Sequence, residues 1–361
     1  MSPGPLTVRV VKVIRETDDA HSLVLEPAEE DRERFTYRPG QFLTVRVPSE
    51  RPGGAARCYS LCSSPVRDEL LKVTVKRTAG GYASHWICDH VTEGDTLQVL
   101  RPAGTFTPDS LDGDFLLFAA GSGITPMMSI LTSALHAGSG TVTLVYANRD
   151  ERSVIFRDEL AALAREYGDR LTVLHWLESV QGRPTASGLR ALAGPYAARP
   201  AFVCGPGPFM DLVTGALGDL GVPPHRVTVE RFTSLTGDPF APPESRPASG
   251  PESGPESGPE SGSGLDTAGP VSTAEVELDG VRRTVDWPRS KPLLDVLLEA
   301  GLDAPYSCRE GACSACACVL VEGEVVMARN EVLDAQDLAD GLVLACQARP
   351  VSDRLKVTYD G

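Results

Sequence analysis

The stretch Cys308-Arg309-Glu310-Gly311-Ala312-Cys313-Ser314-Ala315-Cys316 is separated by 29 residues from a fourth cysteine, Cys346. Three thiolates with four and then two residues between them can wrap one side of a small cluster, and a distant cysteine can close the other. This is the spacing of a plant-type 2Fe-2S centre. Four soft sulfur donors would also suit zinc, but zinc sites more often come as two short cysteine pairs. The isolated fourth cysteine therefore favours 2Fe-2S, with Cys308, Cys313, Cys316 and Cys346 as ligands. Gly311, Ala312, Ser314, Ala315 and Ala317 are small, which lets backbone N–H groups approach the sulfurs and raises the potential of an otherwise low-potential centre. Cys318 alternates with Cys316 and reads either as core packing or as a fifth thiol beside the cluster. A cluster moves single electrons and makes no bonds, so the rest of the chain has to provide their source and their destination.

Around the cysteines, residues 271–361 read as one α+β domain. Ala274–Leu278 and Val281–Val285 pattern as a hairpin turning at Asp279-Gly280, Leu293–Ala300 as a short amphipathic helix, and Val319–Val321 and Val357–Tyr359 as strands. Upstream, residues 233–270 lack apolar periodicity and repeat Pro-Glu-Ser-Gly three times from Pro251 to Gly262. Such a segment cannot bury enough surface to offset its ordering entropy. It reads as a flexible linker, either a tether that lets the cluster domain visit two sites or a plain spacer.

Residues 106–232 alternate apolar runs with helical patterns. The runs are Phe115–Ala120, Val142–Tyr146, Leu171–Trp176 and Ala201–Cys204, and the last strand is expected at His225–Arg231. The helices are expected from Met127 onward and over 153–167, 185–192 and 208–220. Buried strands alternating with helices predict a parallel sheet covered on both faces. Residues 1–105 instead show short alternating strands at 6–13, 22–26, 41–47 and 70–77 between turn residues, which predicts an antiparallel β-barrel.

With 361 residues and 42% apolar content, the chain can support several cores. The net charge is −15 and uneven: −7 over residues 271–361, −5 over 233–270 and −3 over the rest. This argues against nucleic acid as a partner and suits either solubility or steering of a basic protein. Of nine cysteines, Cys58, Cys62, Cys88, Cys204 and Cys318 fall outside the cluster set, and nothing resembles a disulfide framework. Labile cluster thiolates suit a reducing compartment. No signal peptide and no bilayer-spanning apolar run is evident, so a cytoplasmic location without membrane partners is expected.

Several residues outside the cluster carry chemistry. Arg57-Cys58-Tyr59-Ser60 follows a glycine-containing turn and leads into a strand. An arginine fork can pair with a pyrophosphate, a tyrosine can pack on an aromatic ring and a serine can bond its edge, although an ordinary strand with a surface arginine has the same look. Gly81-Tyr82-Ala83-Ser84 precedes a helix whose first N–H groups suit phosphate. Two phosphate-suited spots in one barrel point to a bound nucleotide. Gly121-Ser122-Gly123-Ile124-Thr125-Pro126 ends the first parallel strand, where ligands of open α/β sheets bind, but it is not a full G-x-G-x-x-G pattern. Cys204-Gly205-Pro206 ends another strand of the same sheet. Two such loops can flank a nicotinamide ring, with Cys204 against the reacting carbon or simply buried.

Taken together, Arg57–Ser60, Gly121–Pro126, Cys204–Pro206 and Glu230-Arg231-Phe232 resemble the ferredoxin-NADP reductase superfamily, and the C-terminal domain resembles plant-type ferredoxins with their β-grasp fold. The resemblance covers nearly all of the chain except the linker. It implies that the first segment binds flavin, that the Gly121–Pro126 and Cys204 regions position the nicotinamide, and that Glu230 and Phe232 approach the flavin. Gly81–Ser84 resembles the FAD-binding version of the family. Ser314 departs from the glycine usual after the second cysteine. Reductase first and ferredoxin last is the layout of single-chain reductases of bacterial oxygenases. Arg57–Ser64, Val75–Trp86, Val145–Leu160 and Val203–Met210 are similar to the reductases of 3-ketosteroid 9α-hydroxylases, and phenylacetyl-CoA epoxidase reductases share the layout. NADPH enzymes of this family tend to place Ser-Arg after the third parallel strand, where this chain has Leu177-Glu178-Ser179. A carboxylate there repels a 2′-phosphate and can bond a free 2′-OH, which favours NADH, while Arg149 and Arg183 pull the other way.

The expected route runs from NADH to FAD to the 2Fe-2S cluster and on to a separate terminal oxygenase, with the reductase as a monomer. Thr125 and Cys204 would position the nicotinamide, and Tyr59 and Ser60 would hold the flavin ring. The oxygenase is expected on another chain because no two-histidine-one-carboxylate iron site or haem-thiolate motif is evident. The alternatives are a di-iron epoxidase as client, possibly with NADPH as donor, and a flavin redox sensor or electron-carrier scaffold with little turnover.

Overall fold

The computed structural model describes residues 4–49, 55–235, 237–240, 270–333 and 335–360. Most of the linker expected over 233–270, including its repeat, lies outside the described residues. The chain divides into two compact units, residues 5–236 and a unit built on residues 237–361.

The first unit begins with β1 (Leu6–Thr17), β2 (Ala20–Pro27), β3 (Phe42–Val47), β4 (Ala55–Ser60), β5 (Leu71–Lys76), the helix α1 (Tyr82–His90) and β6 (Thr96–Val99). The strands pair antiparallel in the order β4-β3-β6-β1-β2-β5. Their inward residues, among them Val8, Leu23, Leu43, Val73 and Val99, are buried together. The two edge strands meet through an antiparallel bridge between Leu61 and Val73, and Cys62 N donates to Lys72 O at 2.8 Å. That closes the sheet as a barrel and removes the exposed edges an open sheet would leave. Helix α1 lays Ala83, Ile87 and Cys88 on this core.

The same unit continues through β7 (Phe115–Ala120), α2 (Ile124–Ala137), β8 (Val142–Asn148), α3 (Arg157–Tyr167), β9 (Leu171–Leu177), α4 (Glu178–Gln181), α5 (Ala186–Ala193), β10 (Ala201–Cys204), α6 (Gly207–Asp219) and β11 (Val227–Glu230). All five strands are parallel, in the order β11-β10-β7-β8-β9. Along β7, Leu117 and Ala119 face one core with Met127 and Leu160, while Leu116 and Phe118 face the other with Leu189 and Val213. A strand buried on both sides explains the unbroken apolar run. The helix expected from Ser153 starts only at Arg157. Residues 151–153 form a short turn in which Asp150 Oδ1 accepts from Ser153 N at 2.9 Å, and Phe156 at φ 61° interrupts any continuation.

The second unit holds β12 (Val271–Leu278), β13 (Val281–Pro288), α7 (Leu293–Glu299), β14 (Ala317–Glu322), β15 (Val325–Met327), α8 (Ala335–Ala339), β16 (Leu342–Leu344), β17 (Ala348–Pro350) and β18 (Arg354–Thr358). Its main sheet runs β13-β12-β18-β14-β16, with β12 and β18 parallel and the other pairs antiparallel. The expected hairpin turn forms with Asp279 at φ 53° and Gly280 at φ 71°, the backbone that an Asp-Gly pair favours. Leu293, Leu294 and Leu297 of α7 are buried, and Trp287, also buried, donates from Nε1 to Lys291 O at 2.9 Å. A mixed sheet grasping one helix is the β-grasp arrangement.

Candidate cofactor sites

In the parallel sheet the chain runs outward from β7 to β8 and β9, then returns to place β10 on the other side of β7. The crevice at that reversal is where open α/β sheets bind ligands. The two glycine-bearing loops meet there. A Cβ built on Gly123 would fall 2.2 Å from Cys204 O and 2.7 Å from Gly205 N, so only glycine allows the backbones this close. Gly121 takes φ 54°, and its carbonyl accepts from Tyr146 Oη at 3.1 Å. Thr125 and Pro126 are buried in the first turn of α2, and the Thr125 hydroxyl donates to Ser122 O at 3.0 Å. A Cβ on Gly121 would lie 3.6 Å from Lys76 Nζ, which belongs to β5 of the barrel. The glycine loop therefore faces the barrel seam.

Cys204 is fully buried at the end of β10, in register with Glu230 on β11. Burial raises the thiol pKa well above its ordinary value, and the Glu230 carboxylate adds to the shift. Glu230 is half-buried as a residue, with its carboxyl on the buried side. Desolvation pushes that carboxyl up to about 7, partly offset by a hydrogen bond from the Arg231 backbone. Phe232 just beyond is half exposed. Pro206 caps α6.

A cleft of about 520 Å³ opens at the carboxyl ends of these strands, lined by Gly121, Asn148, Arg149, Glu178, Arg183 and Phe209 among others. Asn148 is 5% exposed, and neither Nδ2 nor Oδ1 has a hydrogen-bond partner of normal geometry. The neighbouring Tyr146 hydroxyl gives its proton to Gly121 O instead. A buried, unpaired amide costs about 1–3 kcal/mol, which is what a cleft waiting for a polar ligand would show. Glu178 opens α4, and Ser179 N donates to Arg149 O at 2.8 Å. The ends of β8 and β9 are thus tied side by side. Asn148 is the last residue of β8, two beyond the apolar run Val142–Tyr146, a position where sequence reasoning could have found it. Lys76 lies on a barrel strand, and only the fold brings it to the cleft.

On the barrel, Arg57 Nη1 donates to Ala56 O at 2.7 Å and to Leu235 O at 3.4 Å. The segment after β11 therefore returns to β4, the strand that carries Arg57. Cys58 Sγ lies 3.7 Å from Thr44 Oγ1, Ser60 is buried, and Tyr59 is half-buried with its phenol pKa raised by burial. Gly81 caps α1. Ser84 Oγ accepts from Thr78 N at 3.1 Å and donates to Gly81 O at 3.4 Å, so this hydroxyl shapes the turn rather than standing open. Ala83 is buried, and Tyr82 is 44% exposed with its hydroxyl donating to Pro48 O at 2.8 Å. The first-turn N–H groups of α1 lack intrahelical acceptors.

In the second unit the four cluster cysteines converge. Cys308 hydrogen-bonds with the thiols of Cys313 and Cys346, and Cys346 with those of Cys308 and Cys316. These contacts lower the pKa of Cys308 and raise that of Cys346, since thiols this close share protons. Four thiolates this close would repel one another, a repulsion that a cationic metal centre would offset. Among the described residues no three such side chains are grouped on one ion, and a cluster with two thiolates per iron does not need that. Backbone N–H groups of Glu310 and Ala312 donate to Cys308 Sγ at 3.3 Å, Cys308 N to Cys313 Sγ at 3.3 Å and Cys346 N to Cys316 Sγ at 3.4 Å. Gln347 Nε2 donates to Cys346 Sγ at 3.5 Å, a contribution the sequence did not reveal. The donor set fits 2Fe-2S. A Cβ on Gly311 would meet Arg329 O at 2.7 Å. Ser314 sits at φ 48°, which explains why glycine is usual there. Cys318 is buried in β14, and burial raises its pKa.

Family models match in the order of these sites: an oxidoreductase FAD-binding domain over residues 7–107, an oxidoreductase NAD-binding domain over 117–214 and a 2Fe-2S iron-sulfur cluster binding domain over 276–351. The ferredoxin reductase component of 3-ketosteroid-9-alpha-monooxygenase from Mycobacterium tuberculosis is 57% identical, over 98% of this chain and 96% of its own. A component of the 1,2-phenylacetyl-CoA epoxidase of Escherichia coli is 32% identical over 98% and 97%. Among solved structures, phthalate dioxygenase reductase, described as a modular structure for electron transfer from pyridine nucleotides to 2Fe-2S, aligns with 99% of this chain and all of its own, at TM-score 0.54 and 25% identity. Among the described residues no helix is long and apolar enough to cross a membrane.

Proposed function

This chain belongs to the family of ferredoxin reductase components of 3-ketosteroid-9-alpha-monooxygenases, and on that premise we propose that it draws electrons from NADH and delivers them singly to a separate Rieske-type 3-ketosteroid 9α-hydroxylase. It is an oxidoreductase with FAD-, NAD- and 2Fe-2S-binding domains, the reductase component of a monooxygenase. The observation that carries the donor reading is the meeting of Gly123 with the Cys204 backbone at the point where the sheet faces Lys76 of the barrel.

Bound FAD converts a two-electron hydride donor into single electrons, and a bound 2Fe-2S cluster carries them one at a time. The residues supply position and electrostatics. Arg57 and the first turn of α1 hold the flavin phosphates, while Tyr59 and Ser60 hold its ring. Tyr59 stays neutral, since burial raises its phenol pKa. Gly121, Gly123, Thr125 and Pro126 on one side, and Cys204, Gly205 and Pro206 on the other, fix the nicotinamide between the loops, so the reacting atoms meet in one geometry. Hydride transfer needs no proton from the protein. Glu230, close to neutral pH in its titration, is placed to hold a proton beside Cys204. Glu178 at the end of β9 bonds a free ribose 2′-OH and repels a 2′-phosphate. Cys308, Cys313, Cys316 and Cys346 hold the iron. The chain works as a monomer in a reducing cytoplasm, a setting that suits nine cysteines of which none is paired in a disulfide among the described residues.

Coupled turnover tests this reading. With the 3-ketosteroid oxygenase supplied as a separate protein, NADH consumption should match steroid 9α-hydroxylation. Coupling only to a di-iron acyl-CoA epoxidase, or a preference for NADPH, would assign the chain to the other relative's chemistry.

A further inference from the structure

The first hairpin of the barrel reaches the nucleotide cleft through one carboxylate. Asp19 lies in the turn between β1 and β2. Its Oδ2 takes Arg149 Nη2 at 2.9 Å and stands 3.8 Å from Lys76 Nζ. The carboxylate is held in place from its own side. Thr17 Oγ1 donates to Asp19 Oδ1 at 2.8 Å, and Arg77 N donates to Asp19 O at 2.7 Å. Its side chain is 29% exposed against 67% for Arg149, so the anchored partner is the acid and the solvent-facing partner is the arginine. Both cations that Asp19 touches line the cleft, together with Arg183 and Glu178. The Ser179 N to Arg149 O bond sets Arg149 beside Glu178, where the adenosine ribose is placed under the reading above.

We propose that Asp19, a residue of the flavin barrel rather than of the nucleotide domain, is a determinant of dinucleotide selectivity. By pairing with Arg149 it keeps that guanidinium from a 2′-phosphate. The inference rests on the donor reading, in which NADH occupies this cleft. A 2′-phosphate brings roughly two negative charges to the ribose, and NADH brings none there. In the cleft, Lys76, Arg149 and Arg183 attract such a group, while Asp19 and Glu178 oppose it. Without Asp19, Arg149 is released to meet such a group. Asp19 touches no nucleotide in this account. It acts through Arg149 as a positioning residue, so its effect falls on the ratio between two donors and not on hydride transfer itself.

The test uses the full-length protein loaded with FAD and its cluster. Flavin reduction is followed anaerobically against increasing NADH and NADPH for the wild type, Asp19→Asn, Arg149→Gln and the double variant. Asp19→Asn is isosteric and can keep the Thr17 bond. It should raise the NADPH:NADH ratio of kcat/KM about fivefold, the scale of one exposed ion pair, with the change in the KM for NADPH. Arg149→Gln alone should move the ratio less than about twofold, and the double variant should lose the gain, a coupling that only a shared interaction produces. An unchanged ratio in Asp19→Asn, or equal losses with both donors, overturns the inference while leaving the NADH reading intact. A wild type reduced by neither nucleotide overturns both.

Discussion

Replacing Gly123 with alanine should separate nicotinamide chemistry from flavin binding. The backbone at Gly123 is ordinary for an L-residue, φ −62° and ψ −7°, so the penalty does not come from its own dihedrals. It comes from the approach: a Cβ would lie 2.2 Å from Cys204 O, 2.4 Å from Cys204 C and 2.7 Å from Gly205 N. Backbone atoms cannot swing aside as side chains do, so the loops must part by about 1 Å to regain ordinary contact. Overpacking of this kind costs about 1–3 kcal/mol, which lowers Tm by about 2–4 °C per kcal/mol for a unit of this size. A displacement of about 1 Å between reacting groups can cost roughly 100-fold in rate. Stopped-flow flavin reduction by NADH, with FAD content and Tm measured alongside, reads all three quantities. Gly207, at the start of α6, has nothing within 4 Å of a built Cβ. Gly207→Ala is therefore the matched control and should keep wild-type rates. If Gly123→Ala reduces its flavin as fast as Gly207→Ala with no loss of Tm, the two loops do not frame the nicotinamide.

Three other outcomes follow from the sites. Cys346→Ser should lose the cluster's iron and visible absorbance but keep FAD, with NADH-driven reduction of an artificial acceptor within about twofold of wild type; retained cluster absorbance would remove Cys346 from the ligand set. Glu230 has its pKa raised from 4.5 to about 7 by burial, so the native state holds the proton more tightly than the unfolded chain. Its stabilisation is complete below about pH 4.5 and is lost as pH rises through about 7. Glu230→Gln should flatten the dependence of Tm on pH across that window, and a curve parallel to wild type would contradict the burial. Arg309, 5% exposed beside Cys308, has its Nε and Nη1 without hydrogen-bond partners, faces the Tyr306 ring at 4.4 Å and has Asp295 only at 3.8 Å. Losing that buried charge in Arg309→Met should lower the cluster midpoint by up to about 59 mV, a tenfold shift for one electron; an unchanged potential in an EPR-monitored titration would count against it.

The features legible in the sequence are those with local causes. Cysteine spacing predicted a convergence of four thiols, Asp279-Gly280 predicted its turn, and the continuous run Phe115–Ala120 predicted a strand buried on two faces. The short strand β6 and the two-stranded pair β15 and β17 carry too few residues for a period to show. The helix start at Arg157 was misplaced because the left-handed Phe156 has no sequence signal in a bulky aromatic. At the site, Gly121, Gly123 and Cys204 were readable because glycine loops at strand ends have a known use. Asp19, Lys76 and Gln347 were not, because each reaches its site through tertiary packing from a segment of unrelated pattern. The hydrogen bonds of the Ser84 hydroxyl to Thr78 N and Gly81 O were likewise not legible, since they form only once the turn before α1 is folded.

The most direct test of the account is anaerobic stopped-flow spectroscopy of the protein as purified, mixed with NADH and separately with NADPH. Flavin bleaching with NADH should come first and loss of the 2Fe-2S absorbance second, both faster than with NADPH. Cluster reduction that precedes the flavin's, or a fully loaded flavin that neither nucleotide reduces, would contradict it.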